Sequence, residues 1–575
     1  MSAEAENTPT QKVAIGISFG NSYSSIAFTT GDGKAEVIAN EDGDRQIPSI
    51  LSYVEGEELH GSQAKSQLIR NSKNTVAYFR DFLGQEFKSI DPSPCHQSAH
   101  PIQHESTISF KIRDSEEEKE NDVTVSEITT RHLKRIRDSA SDYLGKKVNA
   151  AVITVPTNFT EAQKAALSQA AKDADIEVLQ FINEPVSAVL AYDARPDAKI
   201  ADKIVVVADL GGTRSDVAVV ASRGGIYTVL ATLHDYEVSG FKLDQVLIDH
   251  FAKEFIKKHK SAGDPRENDR SLAKMKLECE AVKKALSIGT TANFSVESLA
   301  NGIDFTATIN RSRYELLASK IFAAFARLVT HAVEKAELDP LDITEVILAG
   351  GNSHTPRIAS AVGNAFPETT TVLAPSTSPT AINPSELSVR GAAIQASLIQ
   401  EFDVEDIEQS THPMVTVVPH LSHAVGVLCI SGDESHGIFH PIVDAETSLP
   451  VRRSAIISTP REGGDVLIKL AEGAGHIKVT KPEPKPKKEA NEDDEDDSDE
   501  DDSEEEEEEL RERTWKIGKI LSEAAIRGVK KGGKVEVQIN IAADLSVNAI
   551  FREVGAKGGV RGILSSSKVT QNGSA

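Results

Sequence analysis

The chain has 575 residues, 39% of them hydrophobic, 26% charged and 5% aromatic, with a formal net charge of −25. That length exceeds what one hydrophobic core can organise, and the composition is that of a globular protein of about three or four domains or subdomains. Sixteen acidic residues and no basic ones lie between Glu492 and Glu509, so the remainder carries 72 acidic against 63 basic residues, a mildly acidic balance that does not favour direct binding to nucleic-acid phosphates, and none is expected. Cys95, Cys279 and Cys429 form no C-x-x-C pair, which excludes a zinc ribbon or a disulfide scaffold and fits a reducing cytosol. The start, MSAEAEN, lacks the basic and apolar segments of a signal peptide, and no apolar run is long enough to span a bilayer, so no membrane association is expected.

In chain order, residues 1–11 are expected to be disordered. Residues 13–17 read as a strand, and the alternating, β-branched stretch Tyr23 to Thr29 reads as a second. Between them GISFG satisfies the G-x-S-x-G rule of serine hydrolases, but a nucleophile elbow requires a helix directly after the serine. A hairpin with Gly20 and Asn21 at its tip excludes that chemistry for Ser18. Strands are then expected at 150–155, 203–209 and 345–348, and helices at 161–173, 272–286 and 313–335. This alternation is α/β, and it extends over residues 12–400. Residues 401–412 read as a linker. Residues 413–575 carry short β-like runs (MVTVV, AVGVLCI, SAIIS, VLIKL, KVEVQINI) that predict a small β domain. Prolines, lysines and the acidic run at about 481–510 offer nothing to fold around and are expected to form a disordered insertion within that domain, with Trp515 anchoring its flank.

The chain also repeats itself. VAIGISFGNSYSSIAF, from Val13, superposes without gaps on IVVVADLGGTRSDVAV, from Ile204. Gly20 falls on Gly211, Ile26 on Val217 and Ser18 on Asp209, which predicts two related lobes facing a cleft. Glycine hairpins expose consecutive backbone N–H groups and make concave phosphate sites. A third glycine turn, VILAGGNSHTPRI, places Gly350 and Gly351 between a strand and a helix. No G-x-x-x-x-G-K-[ST] is present, so this is not a P-loop protein.

GISFGNSYSS, NTVAYFRDFLG, VITVPTNFTEAQ, INEPVSAVLAY, DLGGTRSDV, CEAVKKALS, ILAGGNSHTPRI and NPSELSVRGAAIQA follow one another in the order found in the nucleotide-binding domain of the heat shock protein 70 family. The chain resembles that family over nearly all of residues 12–400. The resemblance implies an actin-like ATPase fold of two lobes around a nucleotide cleft, followed by a β-sandwich domain of the substrate-binding type. It implies ATP as ligand, its nucleoside against Glu280, Lys283, Lys284, Ser287 and Gly350, Gly351, Asn352 and His354. Its phosphates would face Gly20, Asn21, Ser22, Tyr23, Gly211, Gly212, Thr213 and Gly240, near Arg80 and Asp209.

Departures from the family pattern cluster at one place. Ser18 stands where the family has Asp, Arg80 where it has Lys and Arg214 where it has Thr, while its G-G-E-D turn reads Ser239-Gly240-Phe241-Lys242. Asp209, Glu184 and Pro156 are kept. Magnesium sites lean on carboxylates, so magnesium is expected to be weak or absent, with no catalytic residue assigned. Arg214 is expected to add a cation at the γ-phosphate. In the β domain the apolar linker is replaced by Val404-Glu405-Asp406-Ile407-Glu408, and the family's helical lid has no counterpart before SSSKVTQNGSA. These features resemble the family's atypical fungal branch, a subunit of the ribosome-associated complex. That implies a stable heterodimer with a J-domain protein of the zuotin type, ribosome contact through that partner, an active heat shock protein 70 chaperone as beneficiary, and a cytoplasmic location. The alternatives are an ATP-hydrolysing foldase and a nucleotide-exchange relative of the large heat-shock type.

Overall fold

The computed structural model describes residues 13–105, 107–115, 119–195, 198, 201–402, 419–429, 438–459, 462–480, 510–556 and 559–564. The N-terminal 1–11, the linker from 403, the MVTVV run and the acidic insertion up to 509 lie outside the described residues. The chain divides near residue 410 into two compact units.

The first unit is built twice from one plan. Glycine at position 20 closes the turn between Ala14–Phe19 and Tyr23–Thr29, its N–H donating to the Tyr23 carbonyl at 3.0 Å. The first sheet runs Glu177–Asn183, Ala150–Val155, Ala14–Phe19, Tyr23–Thr29, Ala35–Ile38, and Ile47–Pro48 also pairs with Tyr23–Thr29. The second runs Thr371–Leu373, Glu345–Ala349, Lys203–Leu210, Ser215–Arg223, Ile226–Asp235. In each, the leading strand is parallel to one neighbour and antiparallel to its hairpin mate. The duplication seen in sixteen residues of sequence therefore extends across five strands.

Each sheet has its own core. Ile15, Ile17, Phe19, Phe79 and Phe110 pack in the first half, and Val206, Leu247, Phe251, Phe294 and Phe325 in the second. Helix Leu387–Gln400 lies against the first sheet, and Gly16 permits it: a Cβ there would sit 2.3 Å from the Ala393 backbone nitrogen. The first glycine of GISFG is thus a packing residue.

Helix Glu161–Asp173 begins at a capping box in which Thr160 and Gln163 satisfy each other's backbone N–H. The helix expected at 272–286 extends over Asp269–Ile288, its start set by the Asn268 side chain accepting from the Ser271 N–H. The single helix expected at 313–335 is two, Arg311–Leu317 and Ser319–Lys335, bent by 64°. At Ala318 (φ −89°, ψ 2°) the chain turns, which lets Tyr314 and Phe322 enter the same core edge to face, 6.1 Å apart. Among the described residues no single helix is long and apolar enough to cross a membrane.

The second unit is a β-sandwich. One sheet orders Ile438–Val443, Ala424–Cys429, Gly464–Thr480, Leu510–Val529, and the other Val451–Ser458, Lys534–Ile541, Val547–Glu553, Val560–Leu564. Val427, Leu470, Val537, Ile539 and Phe551 fill the space between them. Thr480 pairs with Leu510, so the acidic insertion joins the two ends of a long hairpin, and Leu510, assigned to the insertion from sequence, begins a strand. Trp515 lies in that strand and packs on Phe439, ring centroids 5.2 Å apart.

Candidate functional site

The two glycine hairpins point at each other. A Cβ on Gly212 would lie 2.3 Å from Ser22 Oγ, and Asn21 Nδ2 reaches Thr213 Oγ1 at 3.5 Å. Gly240 and Phe241 extend the second hairpin, their N–H groups donating to the carbonyls of Gly211 and Gly212 at 2.9 Å. Asn352 Nδ2 ties the third glycine turn to the carbonyls of Leu210 and Gly211, each at 3.1 Å. Gly350 has φ +81°, and a Cβ there would collide with Asp209 Oδ1 at 2.2 Å.

Around these turns lies a cavity of about 890 Å³. Gly20, Asn21, Ser22, Tyr23, Arg80, Asp209, Gly211, Gly212, Thr213, Gly240, Glu280, Lys283, Lys284, Ser287, Gly350, Gly351, Asn352 and His354 all line it, as do Ser18 and Arg214. Residues from positions 18 to 354 of the sequence therefore converge on one concave surface, of the size and mixed polarity of a small-molecule site.

Charge at the cavity floor is arranged around two buried arginines. Arg80 donates from Nε to Asp81 at 2.8 Å and from Nη1 to the Phe19 carbonyl at 3.3 Å and to Glu184 Oε1 at 3.4 Å. Arg214 donates to Asp216 at 2.8 Å, to Tyr236 Oη at 3.1 Å and to Asn158 Oδ1 at 3.0 Å. All three guanidinium nitrogens of Arg214 thus already have protein acceptors. Arg214, which also lines the cavity, is thereby a strut whose Asn158 bond links the two halves. Asp209 faces Glu184 and Asp216. Burial first, then these two carboxylates, pushes its pKa up to about 8, against the opposing pull of Arg214 and Arg80. Burial likewise raises Glu184.

The opposite wall carries a second charged group. Tyr23 Oη donates to Glu280 and accepts from Lys65 at 2.6 Å and from Lys284 at 3.1 Å, and Lys65 pairs with Glu280 at 2.6 Å. Burial opposes ionisation of Glu280, but Lys65, Lys284 and Lys283 hold it well below the usual carboxylate range. Lys283 pairs with Asp244 at 2.8 Å. His354 bonds Asn383 at 3.0 Å.

A nucleotide fits this donor set. Asn21 Oδ1 and Ser22 Oγ are buried with no protein hydrogen-bond partner, beside the glycine turns that line the cavity. Among the described residues no group of three or more His, Cys, Asp or Glu side chains is arranged to hold a metal ion. Lys65, Tyr78, Asn158 and Asp216 escaped the sequence reading. The repeat carried a signal for Asp216, which stands opposite Asp209 as Ser25 stands opposite Ser18. Lys65 and Asn158 carried none, because their partners lie far along the chain.

Two duplicated sheets whose glycine hairpins enter one cleft, followed by a β-sandwich, define an actin-like ATPase fold with an appended substrate-binding-type domain. A family profile described as "Hsp70 protein" matches residues 14–485. A heat shock protein 70 homolog of Schizosaccharomyces pombe is 46% identical over 557 residues, covering 96% of this chain and 95% of that protein. The ribosome-associated complex subunit SSZ1 of Saccharomyces cerevisiae is 43% identical over 551 residues, 96% of this chain and 99% of that protein. Heat shock 70 kDa protein 14-B of Xenopus laevis is 30% identical over 474 residues, 81% of this chain and 89% of that protein. The chain belongs to the Hsp70 family.

Proposed function

We propose that this Hsp70-family chain is an ATP-binding co-chaperone with little or no hydrolysis, and the scaffold subunit of a cytoplasmic ribosome-associated complex. In that complex it pairs stably with a J-domain protein of the zuotin type, reaches the ribosome through it, and stimulates an active Hsp70-family chaperone that folds nascent chains. The observation that carries the pseudo-ATPase reading is the pairing at the cavity floor: Ser18 offers no carboxylate across from Asp209, and Arg80 is tied to Asp81 and Glu184. A guanidinium held in this way cannot give up a proton and does not position water as an ammonium does. The same missing carboxylate supports weak magnesium binding. Residues 20–23 and 211–213 and Gly240 would face the phosphates, with Glu280, Lys283, Lys284, Ser287 and residues 350–354 around the nucleoside.

The full-length similarity to a ribosome-associated complex subunit supports the partnership. So does the second unit. Among the described residues its outer strands, Val451–Ser458 and Val560–Leu564 included, have one neighbour each in their sheet, and Ile456 and Ile563 on them are exposed. Bare strand edges favour a permanently added partner strand. Co-expression with the J-domain protein's N-terminal region should give a heterodimer that survives high salt, and removing residues 413–575 should abolish it. Retention of the partner at full affinity by the first unit alone would contradict the strand-addition arrangement.

A further inference from the structure

Tyr78 stands out in the first half of the nucleotide unit. It is a bulky residue held at φ 59°, in the left-handed region that such side chains avoid. Backbone conformations of this kind persist where the surroundings fix them, and they concentrate at working parts of proteins. Tyr78 follows the strand Thr75–Ala77, comes just before the Arg80–Phe82 turn and packs at the margin of the core of its own half. The ring meets Phe241 of the second half edge to face, with centroids 5.0 Å apart and planes at 89°. Both residues line the cavity.

Phe241 is built into the phosphate hairpin. Its N–H donates to the Gly212 carbonyl at 2.9 Å, and Gly212 packs on Ser22 of the first hairpin. Unlike the ion pair of Lys65 with Glu280, this contact is unaffected by salt, and it needs no ligand to form.

We infer that Tyr78 and Phe241 form an aromatic clasp between the two halves that must part before nucleotide enters or leaves. The inference rests on the nucleotide reading above. Both are positioning residues: the clasp sets how often the cavity opens, while the hairpins set how well the ligand is held. A gate differs from an ordinary contact in its kinetic signature. Weakening a gate speeds entry and release together, whereas deleting a ligand contact speeds release alone.

Stopped-flow mixing of the full-length chain with a ribose-labelled fluorescent ATP, followed by a chase with unlabelled ATP, gives both rates. Phe241→Ala should raise each by about 3- to 10-fold, the range set by one edge-to-face aromatic contact, and shift Kd by less than about twofold. Tyr78→Leu should do the same from the other half, and Phe241→Tyr should restore the slow rates. Faster release with unchanged entry, or no change in either rate, would overturn the clasp while leaving nucleotide binding intact. Absence of saturable binding to the unaltered chain would overturn the nucleotide reading, and the clasp with it.

Discussion

The two glycine hairpins have the same backbone and opposite chemistry. When Val13 is set on Ile204, Ser18 corresponds to Asp209, Ser25 to Asp216 and Tyr23 to Arg214. Both leading strands pair in parallel with a neighbour and antiparallel with their own hairpin mate, at matching registers. The second half has carboxylates at both positions and pairs one with Arg214, while the first half has hydroxyls at both, with Arg80 nearby. On the proposed reading, phosphate is held by the hairpin backbone, which both copies keep, while a metal ion or reacting water is placed by side chains, which differ between the copies. A duplicated fold could in this way lose a reaction without losing the ligand.

The strongest way to break the comparison is to make the halves chemically alike. The triple variant Ser18→Asp, Arg80→Lys, Arg214→Thr should raise single-turnover hydrolysis by about 10²-fold or more in the presence of magnesium, and each single change should do far less, because such groups act as a unit. An unchanged rate in the folded triple variant would mean that hydrolysis is blocked elsewhere.

A second contrast concerns space. Thr154 pairs with Ser18 and is followed by Val155, whereas Ala349 pairs with Asp209 and is followed by Gly350. The larger acid and the left-handed turn together require glycine in the second half only. Gly350→Ala should destabilise the first unit by about 2–4 kcal/mol, read as a lower melting temperature with loss of ATP binding. A melting temperature like the parent's would show that the turn can relax.

The halves should also differ in their response to pH. Asp209 has a folded pKa raised to about 8 against about 4 in an unfolded chain, so between these values only the folded state holds its proton. Its contribution to stability falls as pH rises from about 4 to about 8. In nucleotide-free protein, Asp209→Asn should flatten that decline and melt a few degrees above the parent at pH 8, while Ser18→Asn should leave the slope unchanged. Equal slopes for parent and Asp209→Asn would refute the assignment.

The smallest effect is expected outside the nucleotide unit. Thr480 and Leu510 are already paired across the acidic insertion. Replacing residues 481–509 by a short Gly-Ser bridge should shift the melting temperature by no more than about 2 °C, because apart from Ala490 and its prolines the segment is charged or polar and has little to bury. Trp515, packed on Phe439, reports the transition by fluorescence. A loss of many degrees would mean that the insertion packs on the sandwich.

Much of this was legible in sequence because it is local. Helix Glu161–Asp173 carries its own capping box, the hairpins carry their own glycines, and the repeat foretold two halves facing one cleft. The break at Ala318 was not legible, since it serves two aromatic rings that share a core rather than any local propensity. Strand Leu510–Val529 contains Leu, Glu, Lys and Ala in a stretch that suits a helix, and its strand form comes from pairing with Gly464–Thr480. In the site, the residues that touch hairpins were visible through motifs. Lys65, Asn158 and Tyr78 were not, because each finds its partner across the cleft, a relation no spacing records.

The central claim is that the cavity holds ATP and does not turn it over. The direct measurement is single-turnover incubation of the purified chain with radiolabelled ATP, with and without a J-domain protein, followed by separation of ATP from ADP. The account predicts that bound label stays ATP over hours in both cases. Conversion to ADP at the rate of an active Hsp70-family member, or acceleration by the J-domain protein, would contradict it.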